Sequence, residues 1–339
     1  MIRLPRLPAL VEQKLIKTGY TRGATPKEIF QNRVTRNNPV LIPWDYWGEC
    51  HIPDDGSGAY ENGFVVLVEP SWYFTADDAD ATLAAAGLEL GVNALLLFRR
   101  RADWIAYRPS SGRLPNGKPF VPANARSTPL GGVYFARIHA TVSEGVGQVI
   151  EGFASSSVRG AGIRVYEYAS RAVIAMARLQ LEALIWLCGD AVRAFVAAGM
   201  SEDEARTRRD AQLASADTTG LLDLDRLETL RIVDGAHQTI CPLCKQRISA
   251  GDLLKRSAQA EGRETYDLTT TEISLFHIQE LRMGKFQHKP YNLGWGHHFC
   301  NVVVKDAGIM PTLRWMAAVI ANQGDIEAEA VSVDEAVDL

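Results

Sequence analysis

Cys241 and Cys244, separated by Pro242 and Leu243, offer two thiolates from one tight turn. Such a pair can occupy adjacent vertices of a tetrahedral metal. His297 and Cys300 repeat the spacing and complete a Cys3His set, a mixture that suits borderline-soft Zn(II) in a closed structural site. His298 rivals His297 as the fourth ligand. The His-x-x-Cys spacing mirrors the first pair better, which assigns His297 to zinc and leaves His298 for DNA or a hydrogen bond. A redox role for CPLC would need a βαβ setting that the flanking sequence lacks. Cys50 and Cys188 bring the cysteines to five, an odd number that argues for reduced thiols or a metal rather than a disulfide framework.

Between the two pairs lies ISLFHIQEL, an apolar stretch that predicts a strand carrying His277. A lone histidine there is ordinarily structural. Its surroundings point elsewhere: CPLC, then HI, then YNL, then HxxCN with Lys305 behind it resembles the HNH, or ββα-metal, endonucleases. In that family a histidine strand, an asparagine-bearing loop and a short helix fold round one catalytic cation. The resemblance covers about the last third of the chain. It implies that His277 is the general base that activates water against a phosphodiester, that Asn292 orients the histidine or its loop, and that Asn301 is the helix-borne ligand of Mg(II) or a similar cation. A neutral imidazole accepts a proton near pH 7, and a hard cation stabilises the charge on the leaving 3′ oxygen.

Two positions depart from the family pattern. His297 stands where a cysteine usually stands, and Phe276 stands where many members carry an aspartate that binds the cation. Glu272, Glu280, Asp267, His288 and His298 are the groups that could replace it, with Glu280 and His298 nominated. Loss of catalysis is the other outcome.

The rest of the chain must position these groups. Its 339 residues are 47% hydrophobic and 22% charged, which marks a globular protein large enough for two domains. Residues 325–339 hold six acids and no Lys or Arg, so the formal charge of −4 hides a body of 36 basic and 34 acidic residues. The tail reads as solvated.

Basic residues gather in two segments. Arg22, Arg33 and Arg36 belong to an N-terminal arm, in which a helix is expected near 8–17 and a second behind Thr25 and Pro26. Arg99, Arg100, Arg101, Arg108, Arg113, Lys118 and Arg126 share the segment 99–126 with only Asp103 as an acid. Both segments are candidate DNA contacts, because phosphate neutralisation requires such charge. Strands are expected at 39–47, 63–74, 93–100 and 132–142, with a further pair within 147–168, and a helix at 75–90 capped by Thr75 or Asp77. The apolar run 168–200 predicts a buried helix that breaks at Gly189, followed by a charged helix capped by Ser201.

The fold class is therefore α+β: a mixed α/β recognition and dimerisation body at 1–225, a zinc-supported ββα-metal module at 226–322, and an acidic tail at 323–339. KTGYTRGATPKEIFQNRVTRNNPVLIP and YENGFVVLVEPSWYF resemble restriction endonucleases of the BstXI type. This second resemblance implies a restriction-modification enzyme that cuts duplex DNA at an interrupted palindrome, working as a homodimer or higher homo-oligomer. The alternatives are a zinc-stabilised DNA-binding protein without catalysis, and a modification-dependent nuclease whose pocket is lined by Trp44, Tyr46, Trp47, Trp72 and Tyr73. For those aromatics, ordinary core packing is the simpler expectation. No membrane span or signal peptide is readable, so a cytoplasmic location is expected.

Overall fold

The computed structural model describes residues 4–322 except 26–27, 35–38, 54–55, 126–127, 139–148, 152–162, 258–270 and 306. In chain order the first elements are α1 (Ala9–Lys17), β1 (Tyr20–Thr25), β2 (Glu28–Asn32), β3 (Val40–Pro43), α2 (Trp47–Cys50), β4 (Phe64–Val68), α3 (Pro70–Thr75) and α4 (Ala79–Ala85). Next come β5 (Ala94–Phe98), α5 (Arg101–Tyr107), β6 (Tyr134–Ile138), β7 (Val149–Glu151) and β8 (Ile163–Arg164). The second half holds α6 (Arg171–Trp186), α7 (Ala191–Ala197), α8 (Glu202–Thr218), α9 (Leu224–Thr229), β9 (Ile273–His277), β10 (Leu293–His297), α10 (His298–Val304) and α11 (Ile309–Asn322).

Six strands form one sheet in the order β7-β6-β5-β4-β3-β8. All its neighbours pair in parallel except β6 with β7. The unbroken apolar runs FVVLV and ALLLF suit such a sheet, because parallel strands are covered on both faces. Val66, Val68, Leu96 and Phe98 pack with Tyr73, Leu83 and Trp104 from the helices. Val65, Leu67 and Leu95 point the other way, onto Ala123, Leu130 and Phe135. The architecture is thus mixed α and β, with its parallel sheet confined to the N-terminal half.

Several expected elements differ in extent or kind. Residues behind Thr25 form the antiparallel hairpin β1–β2 rather than a helix, with Tyr20 opposite Asn32 and Arg22 opposite Phe30; the β-branched and aromatic side chains there favour the pleated form. The strand expected over 63–74 stops at Val68, because Pro70 occupies the first turn of α3, where its missing N–H does no harm. Asp78, not Thr75 or Asp77, caps α4 by accepting from the Ala81 N–H. The basic segment 99–126 contains the helix α5 and buries Asp103, Trp104, Leu114 and Phe120.

The long apolar run divides into α6 and α7, which meet at 92°. Ser201 caps α8 with a full capping box. Among the described residues no single helix is long and apolar enough to cross a membrane; α6 is instead the centre of a core. That core joins Leu7, Val11 and Leu15 to Leu181, Leu184, Phe195, Ile232, Leu243, Ile273, Trp295 and Ile309. A boundary at 225/226 would cut through it, so α1 and α6–α8, expected with the N-terminal body, pack on the metal-ligand segment.

Asp190 fastens the two halves of this core. It accepts from Ser249 Oγ at 2.6 Å, Ala250 N at 2.8 Å and Gly251 N at 3.3 Å. Burial pushes its carboxyl up, but those hydrogen bonds outweigh burial and hold its pKa below the usual value. The folded value lies below the unfolded one, so the carboxylate's contribution is complete above about pH 4 and is lost as pH falls through the folded pKa. We expect Asp190→Asn to cost about 1 kcal/mol at pH 7, the low end for a hydrogen-bonded charge partly open to water. In thermal melts the gap from wild type should close below pH 4; equal melting at pH 7 would contradict this role.

Candidate metal centre and adjoining hairpin

The ligand atoms of Cys241, Cys244, His297 and Cys300 all lie within 4.8 Å of one another. Among the described residues this is the one such group. Cys241 and Cys244 come from a knuckle closed by the Lys245 N–H on the Cys241 carbonyl and the Cys241 N–H on the Gln246 carbonyl, both at 2.8 Å. Lys245 takes a left-handed φ of 62° to make that closure. Arg231 braces the turn by donating to the carbonyls of Pro242 at 2.9 Å and Leu243 at 3.2 Å. His297 ends β10 and Cys300 lies one turn into α10, so strand and helix each deliver one ligand. Cys244 Sγ stands 3.3 Å from His297 Nδ1.

The electrostatics suit a metal. The Cys300 thiol, and after it His297, pull Cys241 down to about 3, whereas Cys300, donating toward Cys241, is pushed up. His297 is raised, chiefly by Cys241. Four groups therefore share protons at one point, and a Zn(II) ion bound there would displace them. The donor set and its spacing fit that ion.

β9 and β10 are antiparallel, pairing Leu293 with His277 and His297 with Ile273. His297 thus sits at one end of the hairpin and His277 at the other, with α10 behind β10. Phe276 and His277 point to opposite faces, as neighbours on a strand must. Phe276 is fully buried and lies over Gly296, where a Cβ would stand 2.6 Å from its ring. His277 shares a face with Trp295, whose indole donates to the Leu181 carbonyl of α6 at 2.8 Å.

The loop 278–292 is held by Asn292. Its Oδ1 accepts from the Gln279 N–H at 2.7 Å, and its Nδ2 donates to the carbonyls of Gln279 at 2.8 Å and Gln287 at 2.6 Å. His277 Nε2 meets His288 Nδ1 at 3.2 Å, and His288 Nε2 donates to the Thr18 carbonyl at 2.6 Å. Burial, and then the charge of Arg33, lower His277 to about 3 and His288 well below its usual value. Both rings are neutral near pH 7.

The groups that could stand in for an aspartate at 276 differ in what they already bind. Glu280 is buried and its Oε1 accepts from the Gly308 N–H at 2.8 Å, ahead of α11. Both nitrogens of His288 are engaged. His298 Nδ1 is buried without a hydrogen-bond partner among the described residues, and Asn301 follows one turn later on α10. Glu272 gives its carbonyl to the His298 N–H at 2.6 Å. Asp267 lies outside the described residues.

The candidate DNA contacts divide similarly. Arg33, expected on an exposed arm, is buried instead, with its guanidinium donating to the carbonyls of Glu167 at 2.6 Å and Thr18 at 3.3 Å; a phosphate cannot reach it there. Arg99 faces Glu69 at 3.6 Å, Arg100 pairs with Asp103 at 2.8 Å, and Lys118 pairs with Glu89 at 2.6 Å. Arg108 lies over the Trp104 ring, and Arg113 donates to the Gly117 carbonyl. Arg101 begins α5. Arg36, Arg126 and the side chain of Arg22 lie outside the described residues. Of the aromatic group, Tyr73 is buried in the sheet core and Trp44, Trp47 and Trp72 pack against it, while Tyr46 packs on the neighbouring cluster. Core packing accounts for them.

Sequence reasoning missed His288 as a partner of His277, Gln180, whose Oε1 accepts from the Tyr291 N–H at 2.7 Å, and Phe286. Phe286 inserts from the loop into a cluster with Tyr60 and Tyr168. Only its apolar type inside a polar loop signalled that anchor.

A family profile described as BstXI restriction endonuclease matches residues 13–298. No curated protein matches. A solved structure, described as a crystal structure of a type II restriction endonuclease, aligns with 47% of this chain and 58% of its own, at 13% identity and a TM-score of 0.27.

Proposed function

The chain belongs to the BstXI restriction endonuclease family, and from that premise we infer that it is a site-specific endonuclease of duplex DNA that cuts an interrupted palindrome with an HNH, or ββα-metal, centre. The observation that carries this reading is the hairpin and helix β9–β10–α10, braced at one end by the Cys3His cluster, with His277 at the other end and Asn301 on the helix. His277, neutral near pH 7, takes the proton of the attacking water as the new P–O bond forms and the bond to the 3′ oxygen breaks. Asn292 keeps the loop closed. Asn301 on α10 is the group that would hold Mg(II) or a similar cation, whereas His298, whose Nδ1 has no other partner among the described residues, begins α10 at the end of the hairpin away from His277. Such a cation supplies charge stabilisation for the phosphorane-like transition state and the leaving oxygen. The exposed bases of the 99–118 segment are the surface nominated for phosphate.

A second reading is favoured by one observation. Phe276 fills the core where a cation-binding carboxylate stands in many HNH enzymes, so a zinc-stabilised DNA-binding protein without catalysis is the alternative. Incubation of the purified full-length chain with duplex DNA and Mg(II) separates the two. Nicks and cuts are expected; retention of DNA in a gel with every strand intact would establish the alternative.

A homodimer fits the same reading. Phe299 on α10 and Met310, Trp315, Met316, Val319 and Ile320 on α11 are between 37% and 77% exposed. They offer about 500 Å² of apolar surface, taking roughly 150–200 Å² for each large side chain. With a polar rim this approaches the ~800 Å² that a stable interface takes from each partner. The acid-rich sequence 323–339 is a poor cover for such a face, whereas a second copy presents the same apolar patch. Light scattering should give a dimer for wild type and a monomer for Trp315→Glu, with double-strand cutting reduced to nicking. A monomeric wild type would refute the assignment.

A further inference from the structure

The ring nitrogens of two histidines and one carbonyl form a chain with only one consistent set of protons. The Thr18 carbonyl can only accept, so His288 Nε2, 2.6 Å away, carries its ring proton. His288 is neutral, and its Nδ1 is therefore a lone pair. His277 Nε2, 3.2 Å from that lone pair, must carry the proton of its own ring. His277 Nδ1 is left as the basic nitrogen.

We propose that His288 is a positioning residue for the nuclease base, fixing both the orientation and the tautomer of His277 through an anchor on the N-terminal half of the chain. The inference rests on the nuclease reading of His277. The anchor is well defined on every side. His288 is 1% exposed, and its neighbour in the loop, Phe286, is locked between Tyr60 and Tyr168 of the body. Thr18 ends α1, and Arg33 donates to the same carbonyl while its own N–H bonds the Gly19 carbonyl at 2.9 Å. The cation of Arg33 disfavours a second proton on either imidazole.

The loop 278–292 therefore links the base to the foot of the β1–β2 hairpin, which starts at Tyr20 and ends at Asn32. A shift of α1 or of that foot would move the acceptor of His288 and, through it, the ring of His277. Proximity of this kind is sensitive: a displacement of about 1 Å at a reacting group can lower a rate about 10²-fold.

The test is a two-bond 1H–15N spectrum of the histidine rings in the zinc-loaded, full-length protein, with His277 assigned from the His277→Ala variant. Wild type should show a protonated Nε2 and a bare Nδ1 on His277, and the same on His288. In His288→Ala the His277 signals should move to an exchange average. The single-turnover cleavage rate should fall about 10²-fold with unchanged DNA affinity and zinc content. His288→Asn, which keeps an acceptor near the Nδ1 position, should recover part of both signals. A wild-type His277 protonated on Nδ1, or a His288→Ala protein with unaltered ring signals and rate, would overturn the proposal. If the spectra behave as expected while wild type cleaves no DNA, the pairing stands and the nuclease reading fails.

Discussion

His277→Ala is expected to lower the cleavage rate of duplex DNA by about 10²–10⁴-fold, the range for loss of a general base, while DNA binding and thermal stability stay near wild type. Stability is expected to survive because the ring is neutral near pH 7 and its removal leaves no charge behind. What it leaves is a bare acceptor on His288, worth about 1 kcal/mol. The basic form is present over a wide range of pH. Burial, and then Arg33, hold the ring near 3, so lowering the pH from 7.5 to 5.5 should not remove activity through this group. The sign of the linked stability is equally definite. Between a folded pKa near 3 and an unfolded value near 6.5, the unfolded chain binds the extra proton. Stability is therefore full above about pH 6.5 and declines as pH falls. Plasmid nicking in single turnover, measured beside a melting curve, checks both parts.

Removal of zinc is expected to have the larger effect on the fold. Structural zinc supplies on the order of 10 kcal/mol to modules of this kind, about as much as the whole net stability of an ordinary domain. Here the four ligands join a knuckle, a strand and a helix, and Cys241 is fully buried in the core that contains α6. Cys241→Ser, or a strong chelator, should release one zinc per chain and abolish the cooperative melting transition of that core. Because α1 and α6–α8 share the core, the loss should reach beyond residues 241–301. A zinc-free protein that melts like wild type would remove the structural assignment. Acid should act like the chelator, since thiolates must lose their metal as they take up protons.

The Cys3His cluster was legible because its information is local. Two Cys/His-x-x-Cys pairs need only a tight turn each, and the ligand spacing survives whatever the rest of the chain does. The ends of helices were legible where a cap is written in the sequence, as with Ser201. The sheet was harder. FVVLV and ALLLF announce strands, yet their parallel order depends on crossovers that periodicity does not report. The arm was misread because Pro26 suits a first helical turn, whereas the pairing of residues 20–25 with 28–32 decides for a hairpin.

Long-range partners escaped altogether. Arg33 reads as a basic arm residue until Glu167, 134 positions away, accepts its hydrogen bond. His288 reads as a spare metal ligand until the carbonyl of Thr18, 270 positions away, accepts a hydrogen bond from its ring. Phe276 is the instructive case: its apolar type was visible in the sequence, but its packing over Gly296 required the fold.

The most direct test of the account is to digest genomic DNA with the zinc-loaded protein and Mg(II) and to sequence the ends, with His277→Ala in parallel. Wild type should produce ends that recur at one interrupted palindrome, and the variant should leave the DNA intact. Intact DNA with wild type, or the same ends from both proteins, would contradict the assignment of this chain as a site-specific endonuclease working through His277.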